Sequence, residues 1–289
     1  MTDDPFVTHR SLLFTVAYEM LGSGADAEDV LQEAWLRWAE VDQADVRDPR
    51  AYLIRVVTRQ ALNQMRTMSR RREDYVGEWL PEPLLTSPDI ADDVELAESV
   101  SMAMLTVLET LGPAERAVFV LREVFDMPYE EIADAVDKSA PTVRQIAHRA
   151  RDHVAARRPR VQVSQSEQQE VVERLLVALH TGEVQELMEV MAPDVVMIAD
   201  TGGLAQAFRM PIHGPDSVAK LLARAAHAPV KLDASIVWIN GAPAARIDLD
   251  GELGAAVSLI MENGQVTRIH VVRNPHKLAR LDEPAALAR

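Results

Sequence analysis

The 289-residue chain has no cysteine, only 4% aromatic residues and, from Glu73 to Glu115, neither lysine nor arginine. The lack of cysteine excludes disulfides, thiolate metal sites and a cysteine nucleophile, and fits a reducing compartment. No apolar run is long enough to cross a bilayer. The acidic N-terminus MTDDPF lacks the apolar core of a signal peptide. A cytoplasmic chain with no membrane partner is therefore expected. No residue cluster calls for a metal or a cofactor. What is present is a 48% hydrophobic content, ample for real cores, over a length suited to two or three small domains.

The net charge of −15 is unevenly distributed. Six arginines and no acid fall between Arg55 and Arg72. The acidic stretch follows, and basic residues return after Glu115. Two cationic blocks flanking an acidic one suggest two contacts with a polyanion, because each cluster gains by releasing counterions from phosphates. The plain alternative is ordinary surface charge.

The stretch Pro128 to Val154 carries apolar residues at Ile132, Ala133 and Val136, then at Val143, Ile146, Ala147 and Ala150. That is helical spacing interrupted by Asp137-Lys138-Ser139. Ser139 suits an N-cap and Pro141 the first turn of the second helix. The pattern predicts a helix-turn-helix whose second helix fits a major groove. Its polar face holds Thr142, Arg144, Gln145, His148, Arg149 and Arg151. Arginine reads guanine and glutamine reads adenine through paired hydrogen bonds. Arg157, Arg158 and Arg160 would meet phosphates, which position but do not specify. A helical hairpin with a solvated basic face is the bland alternative.

Upstream, His9 to Met20 reads as a helix ended by Gly22-Ser23-Gly24. A second runs from about Asp26 through Trp38, with Val30, Leu31, Ala34, Trp35 and Trp38 as an apolar stripe and Asp29, Gln32, Glu33 and Arg37 opposite. Pro49 opens a third, to about Arg72, whose polar face is Arg59, Asn63, Arg66, Arg70, Arg71 and Arg72. Arginine and asparagine beside aromatic rings suit the grip on an unpaired base.

The strings AEDVLQEAWLRW, DPRAYLIRVVTRQALNQMR and LGPAERAVFVLREVFDMPYEEIADAV, in that order, resemble the extracytoplasmic-function group of bacterial RNA polymerase sigma factors. The resemblance covers residues 9 to about 158. It implies a sigma factor that binds core RNA polymerase and promoter DNA. Asp29, Gln32, Glu33 and Trp35 would face the polymerase, Arg59 to Arg72 the −10 element, and Thr142 to Arg151 the −35 element. Asp137 stands where the family usually has glycine in the turn. Aspartate tolerates the left-handed conformation better than most residues, so the turn is expected to survive.

The acidic segment contains Trp79-Leu80-Pro81-Glu82-Pro83-Leu84. The prolines favour an extended path, and Trp79, Leu80 and Leu84 are costly to leave in water, so the segment is expected to dock. WLPEP resembles the linker of the sigma-factor subgroup that carries a fused C-terminal domain.

After Arg157–Ser166 the pattern changes. Helices are expected at 167–180, 184–191 and 214–226. Strands are expected at 195–199, 234–240, 244–249, 255–261 and 266–272, with Asn263-Gly264 as a hairpin turn. Helices followed by an antiparallel meander make an α+β domain. This half resembles the SnoaL-like members of the NTF2-like superfamily, whose conical sheet encloses a pocket and leaves room for a small-molecule ligand. The string Arg273-Asn274-Pro275-His276-Lys277-Leu278 is similar to a signature of the fused domains, with His276 replacing an aspartate. Asp200-Thr201-Gly202-Gly203-Leu204 matches a second signature without its lysine. Asp200, His213 and His270 are the candidates for acid–base chemistry, although such residues more often cap turns or fill cores.

The expected organisation is a sigma region 2 helical bundle (1–73), a linker (74–97), a region 4 helix-turn-helix (98–160) and an α+β domain (166–280) packed on the linker as an intramolecular regulator. Trp79, Leu80, Pro81, Asp200, Gly202, Gly203, Asn274, Pro275 and Lys277 are the expected regulatory contacts, and no enzyme activity is expected. The competing reading is a helix-turn-helix regulator with a ligand-sensing C-terminal domain that never joins polymerase.

Overall fold

The computed structural model describes residues 4–73, 75–158, 163–203 and 210–289, and only the backbone of 69–73, 91 and 92. The N-terminal part is helical: α1 (Pro5–Thr8), α2 (Arg10–Leu21), α3 (Gly24–Ala39) and α4 (Pro49–Glu73). From Leu12 to Leu21 every residue of α2 is buried, as befits a helix surrounded on all sides. It stops at Gly22, whose φ of 67° favours glycine. A side chain there would strike Glu109 and Trp79. Ser23 caps α3 by accepting from Asp26 N–H at 3.2 Å.

Beyond the linker come α5 (Val94–Val100), α6 (Met102–Leu108), α7 (Pro113–Phe119), α8 (Tyr129–Val136) and α9 (Ala140–Ala155). The pattern predicts one helix over 96–111, but Ser101 divides it. Its hydroxyl accepts from Met104 N–H at 3.1 Å and starts α6 as an N-cap. The pattern also predicts a helix over 114–125; it ends at Phe119 and continues as a wider π-type turn, Val120–Val124. Asp137 closes α8 in the left-handed conformation (φ 55°), and the turn survives as expected. Ser139 caps α9. Side chains of both helical units form one continuous core, from Phe6 through Val57 to Val154, and Leu287 of the C-terminal tail enters it.

The C-terminal half holds α10 (Gln165–Thr181), α11 (Gln185–Glu189), β1 (Met191–Asp200), β2 (Ile212–His213), α12 (Pro215–Ala226), β3 (Leu232–Ile239), β4 (Ala242–Leu249), β5 (Glu252–Glu262), β6 (Gln265–Val272) and α13 (Pro275–Leu278). The sheet order is β2-β1-β6-β5-β4-β3. The expected antiparallel meander covers β3 to β6. β1, however, lies parallel to β6, with Met197 opposite Ile269 and Asp200 opposite Val272. The long connection between these strands, α12 and the meander included, permits the parallel pairing that a short turn forbids. Asn263 and Gly264 both have positive φ, as the hairpin requires.

Strand alternation gives the sheet two apolar faces. Met197, Val257 and Ile269 pack with Leu175 and Leu222 of α10 and α12. Ala244, Ala256 and Val272 pack with Leu80 of the linker and Met102 of α6.

Candidate functional site

On α9, Thr142, Arg144, Gln145, His148, Arg149 and Arg151 all lie exposed on one side, while Val143, Ile146, Ala147 and Ala150 are buried on the other. The face is held by acids. Arg144 pairs with Glu130 at 2.7 Å, His148 with Asp152 at 3.3 Å and Arg151 with Glu123 at 3.8 Å. Exposed pairs of this kind are worth little, so phosphates and base edges can displace them.

On α4, Arg59, Asn63 and Arg66 are exposed. Arg59 donates to the carbonyl of Asp134 on α8 at 2.7 Å, and Arg66 donates to Asn63 Oδ1 at 3.2 Å. The side chains of Arg70, Arg71 and Arg72 lie outside the described residues, as do Arg160 and Leu204. On α3, Asp29, Gln32 and Glu33 are exposed. Trp35, part of the apolar stripe and expected to face a partner, is 46% exposed beside Leu36. The bundle core closes on Val30, Leu31, Ala34 and Trp38 without it.

The linker residues and both C-terminal signatures meet at one site. Asp200 is fully buried at the end of β1. Its carboxylate accepts from Leu80 N–H at 2.9 Å, Lys277 Nζ at 2.7 Å, Gly202 N–H at 3.1 Å and the Tyr75 hydroxyl. Lys277 also donates to the Leu80 carbonyl and sits 3.9 Å from the centre of the Trp79 ring. Asn274 caps α13 by accepting from His276 N–H, and its amide donates to the Tyr75 hydroxyl at 3.0 Å. Pro275 opens α13. Gly203 has so little room that a side chain would touch Val76. Burial, then the Asp200 carboxylate, push the Tyr75 hydroxyl well above its usual range. Leu80 thus has its N–H and its carbonyl held by the two members of a buried ion pair.

Further along, the linker is bound on both sides. Pro81, Glu82, Pro83 and Leu84 are all buried. Glu82 N–H donates to the Gly22 carbonyl at 2.9 Å, and its carboxylate accepts from Ser23 Oγ at 2.9 Å and Ala25 N–H at 3.2 Å. Desolvation raises the Glu82 pKa. Asn240, at the β3–β4 turn, accepts from Leu84 N–H at 2.9 Å. Its amide donates to the Tyr18 hydroxyl at 2.6 Å and to the Val100 carbonyl at 2.7 Å. One side chain therefore joins the C-terminal domain, the linker, α2 and α5. Tyr18 completes the junction by donating to the Glu82 carbonyl at 2.7 Å.

The two helical units share a buried polar joint. Arg116 of α7 donates through Nε to the Glu19 carbonyl at 2.8 Å and through Nη1 to Glu109. Ser99 donates to Glu19 Oε1 at 2.7 Å. Glu19 and Arg116 are both essentially inaccessible. Burial pushes Glu19 up to about 8 and Arg116 down to about 9.

Tyr75, Glu82, Asn240, Tyr18, Glu19 and Arg116 escaped the sequence reading. Two left a trace: Glu19 is a lone acid in the apolar run TVAYEML, and Asn240-Gly241 is a turn dipeptide between two strands.

The three acid–base candidates do not converge. Asp200 and His270 point to the linker side of the sheet, opposite the face lined by Met197, Ala199, Ile269 and Val271. His213 is exposed on β2. His270 is fully buried with neither ring nitrogen hydrogen-bonded, and burial pulls its pKa down to about 4, aided by Arg268.

Two family models match the chain: Sigma-70 region 2 over residues 6–71 and Sigma-70, region 4 over residues 101–154. The chain is 38% identical over 221 residues to the ECF RNA polymerase sigma factor SigJ of Mycobacterium tuberculosis (strain ATCC 25618 / H37Rv), covering 75% of this chain and 70% of the relative. It is 34% identical over 274 residues to the probable ECF RNA polymerase sigma factor SigI of the same organism, covering 93% and 92%. The crystal structure of the M. tuberculosis SigJ protein superposes with a TM-score of 0.75 at 32% identity, over 96% of this chain and 98% of that one.

Proposed function

Because the chain belongs to the extracytoplasmic-function sigma factors, which direct promoter-specific initiation by core RNA polymerase, we propose that it does so under the control of its own C-terminal domain. The exposed face of α9 reads the −35 element. The face of α4 from Arg59 to Arg72 takes the −10 element. Asp29, Gln32, Glu33 and Trp35 of α3 meet the polymerase, and the chain acts in the cytoplasm, where the polymerase is. No helix among the described residues is long and apolar enough to cross a membrane.

The observation that carries the regulatory part is the contact between α4 and α8, sealed by Arg59 on the Asp134 carbonyl. Elements centred near −10 and −35 lie about 25 base pairs apart, roughly 85 Å at about 3.4 Å per base pair. Two units that share one hydrophobic core cannot straddle that distance. The conformation described is therefore a closed one, and initiation requires the units to separate. The linker between them is held by Asp200, Lys277, Asn274 and Asn240, all from the C-terminal domain. The role of that domain in this reading is regulatory: Asp200 and His270 face the linker side of the sheet, away from its cavity, and His213 is exposed on β2.

The test is run-off transcription with core polymerase and the full chain. Substituting Lys277→Met together with Asp200→Asn loosens the linker and is expected to change promoter-directed transcript yield several-fold at equal polymerase affinity. Equal yields would remove the regulatory role.

A further inference from the structure

The face of the C-terminal sheet turned away from the linker lines a cavity of about 350 Å³ beneath α10 and α12. Its wall is mainly apolar, with Leu175, Met197, Leu232, Ile247, Val257 and Ile269 typical of it. Among the described residues the wall has no acid, hydroxyl, amide or imidazole, and its only charged side chains are Arg224 and Arg273. Protein interiors close-pack and tolerate few voids larger than a water molecule. Apolar cavities stay dry and accept apolar guests. A guest polar along its length would lose its hydrogen bonds to the apolar part of this wall. The two guanidiniums favour one kind of head group, because arginine matches a carboxylate with two parallel hydrogen bonds.

We propose that this cavity binds a medium-chain carboxylate, with its apolar chain among the leucine and isoleucine side chains and its head group on Arg273 and Arg224. A cavity of this size holds a chain of roughly ten carbons. The cavity and the linker contacts share two strand ends. Ala199 lines the cavity and the next residue, Asp200, grips Leu80. Arg273 lines the cavity and the next residue, Asn274, holds Tyr75. Arg273 N–H donates to the Asp200 carbonyl at 2.7 Å, which ties the two ends together. A head group drawn onto Arg273 therefore acts on the same backbone that holds the linker. That effect rests on the regulatory role proposed above, whereas the binding itself does not.

The test is calorimetric titration of the full chain with decanoate, decanol and acetate, with hydrogen exchange of residues 75–86 recorded with and without decanoate. Decanoate is expected to bind. Decanol should bind about tenfold more weakly, the loss of one charge-assisted contact, and acetate should give no heat. The double variant Arg224→Gln, Arg273→Gln should bring decanoate down to the affinity of decanol. Ala225→Phe, which fills the cavity from α12, should abolish both. Equal binding of decanoate and decanol, or decanoate binding unchanged in both variants, overturns the proposal. So does the absence of binding. Binding that leaves exchange of residues 75–86 unchanged keeps the site and overturns its link to the linker.

Discussion

The ammonium of Lys277 lies 2.7 Å from the carboxylate of Asp200, and between them they hold the N–H and the carbonyl of Leu80. Asp200 is fully buried and the Lys277 side chain is 11% exposed. Removing one partner of a buried pair leaves the other charge uncompensated, at a cost of about 3–5 kcal/mol. Lys277→Met and Asp200→Asn are each expected to destabilise by about that much, and the double variant by less than the sum. Urea denaturation of the four proteins checks this, and additive losses would show that the two groups act independently.

Asn240 serves four segments from a left-handed position, φ 54°. Asn240→Gly keeps the backbone relaxed and loses bonds to Leu84, Tyr18 and Val100, at about 2–4 kcal/mol for the buried groups left unpaired. Asn240→Ala should cost about 1 kcal/mol more, because alanine resists that conformation. Hydrogen exchange at Leu84 N–H should accelerate in both variants, and an unchanged rate would place the hold on the linker elsewhere.

Glu19 makes stability pH-dependent. Its pKa rises from 4.5 in the unfolded chain to about 8 in the fold. The folded chain thus binds the extra proton between those values, and stability falls as pH rises through that window. His270 works the other way. Its folded value of about 4 lies below the usual 6.5, so its contribution is lost as pH falls from 6.5 through 4. Between pH 6.5 and 8 the His270 effect is spent and the Glu19 effect persists, and comparison with Glu19→Gln isolates it. There the wild-type chain should lose about 2 kcal/mol more than Glu19→Gln, as read from urea midpoints at the two pH values. Parallel slopes for the two proteins would show that Glu19 is already ionised in the fold.

Gln145 and Arg149 stand on the exposed side of α9, the face proposed to read the −35 element. Arg149→Ala should cost about 1–3 kcal/mol in binding a promoter fragment and should relax preference at one −35 base. Gel-shift titration against base-swapped −35 sequences reads this. A loss equal on every sequence would make Arg149 a phosphate contact.

Asp29 and Glu33 are exposed on α3. Asp29→Lys with Glu33→Lys should weaken binding to core polymerase by about tenfold or more while leaving the melting temperature within a few degrees. Undiminished polymerase binding would move the contact off α3 and favour a regulator that works without polymerase.

The helices, the helix-turn-helix and the two basic faces were legible in the sequence, because each is set by local rules. Apolar spacing of 3.6 residues placed the buried side of α9. Ser139 begins α9 through its own hydroxyl. Asn263-Gly264 turns a hairpin by its own conformational freedom. The tendency of Trp79 and Leu80 to dock was legible too, because apolar surface in an acidic stretch seeks cover. That the C-terminal domain covers them, with Asp200 and Lys277 among the contacts, was expected from the resemblance, but the individual bonds were not. Tertiary structure alone decided that Tyr75, Leu80 and Lys277 converge on Asp200, that Asn240 is a joint as well as a turn, and that Glu19 and Arg116 are buried together between two helical units. These partners are separated by 77 to 156 residues or more in several cases, as Asp200–Lys277 and Leu84–Asn240 are. No periodicity spans such an interval. The parallel pairing of β1 with β6 was decided in the same way, by how the rest of the chain packs once its cores have closed.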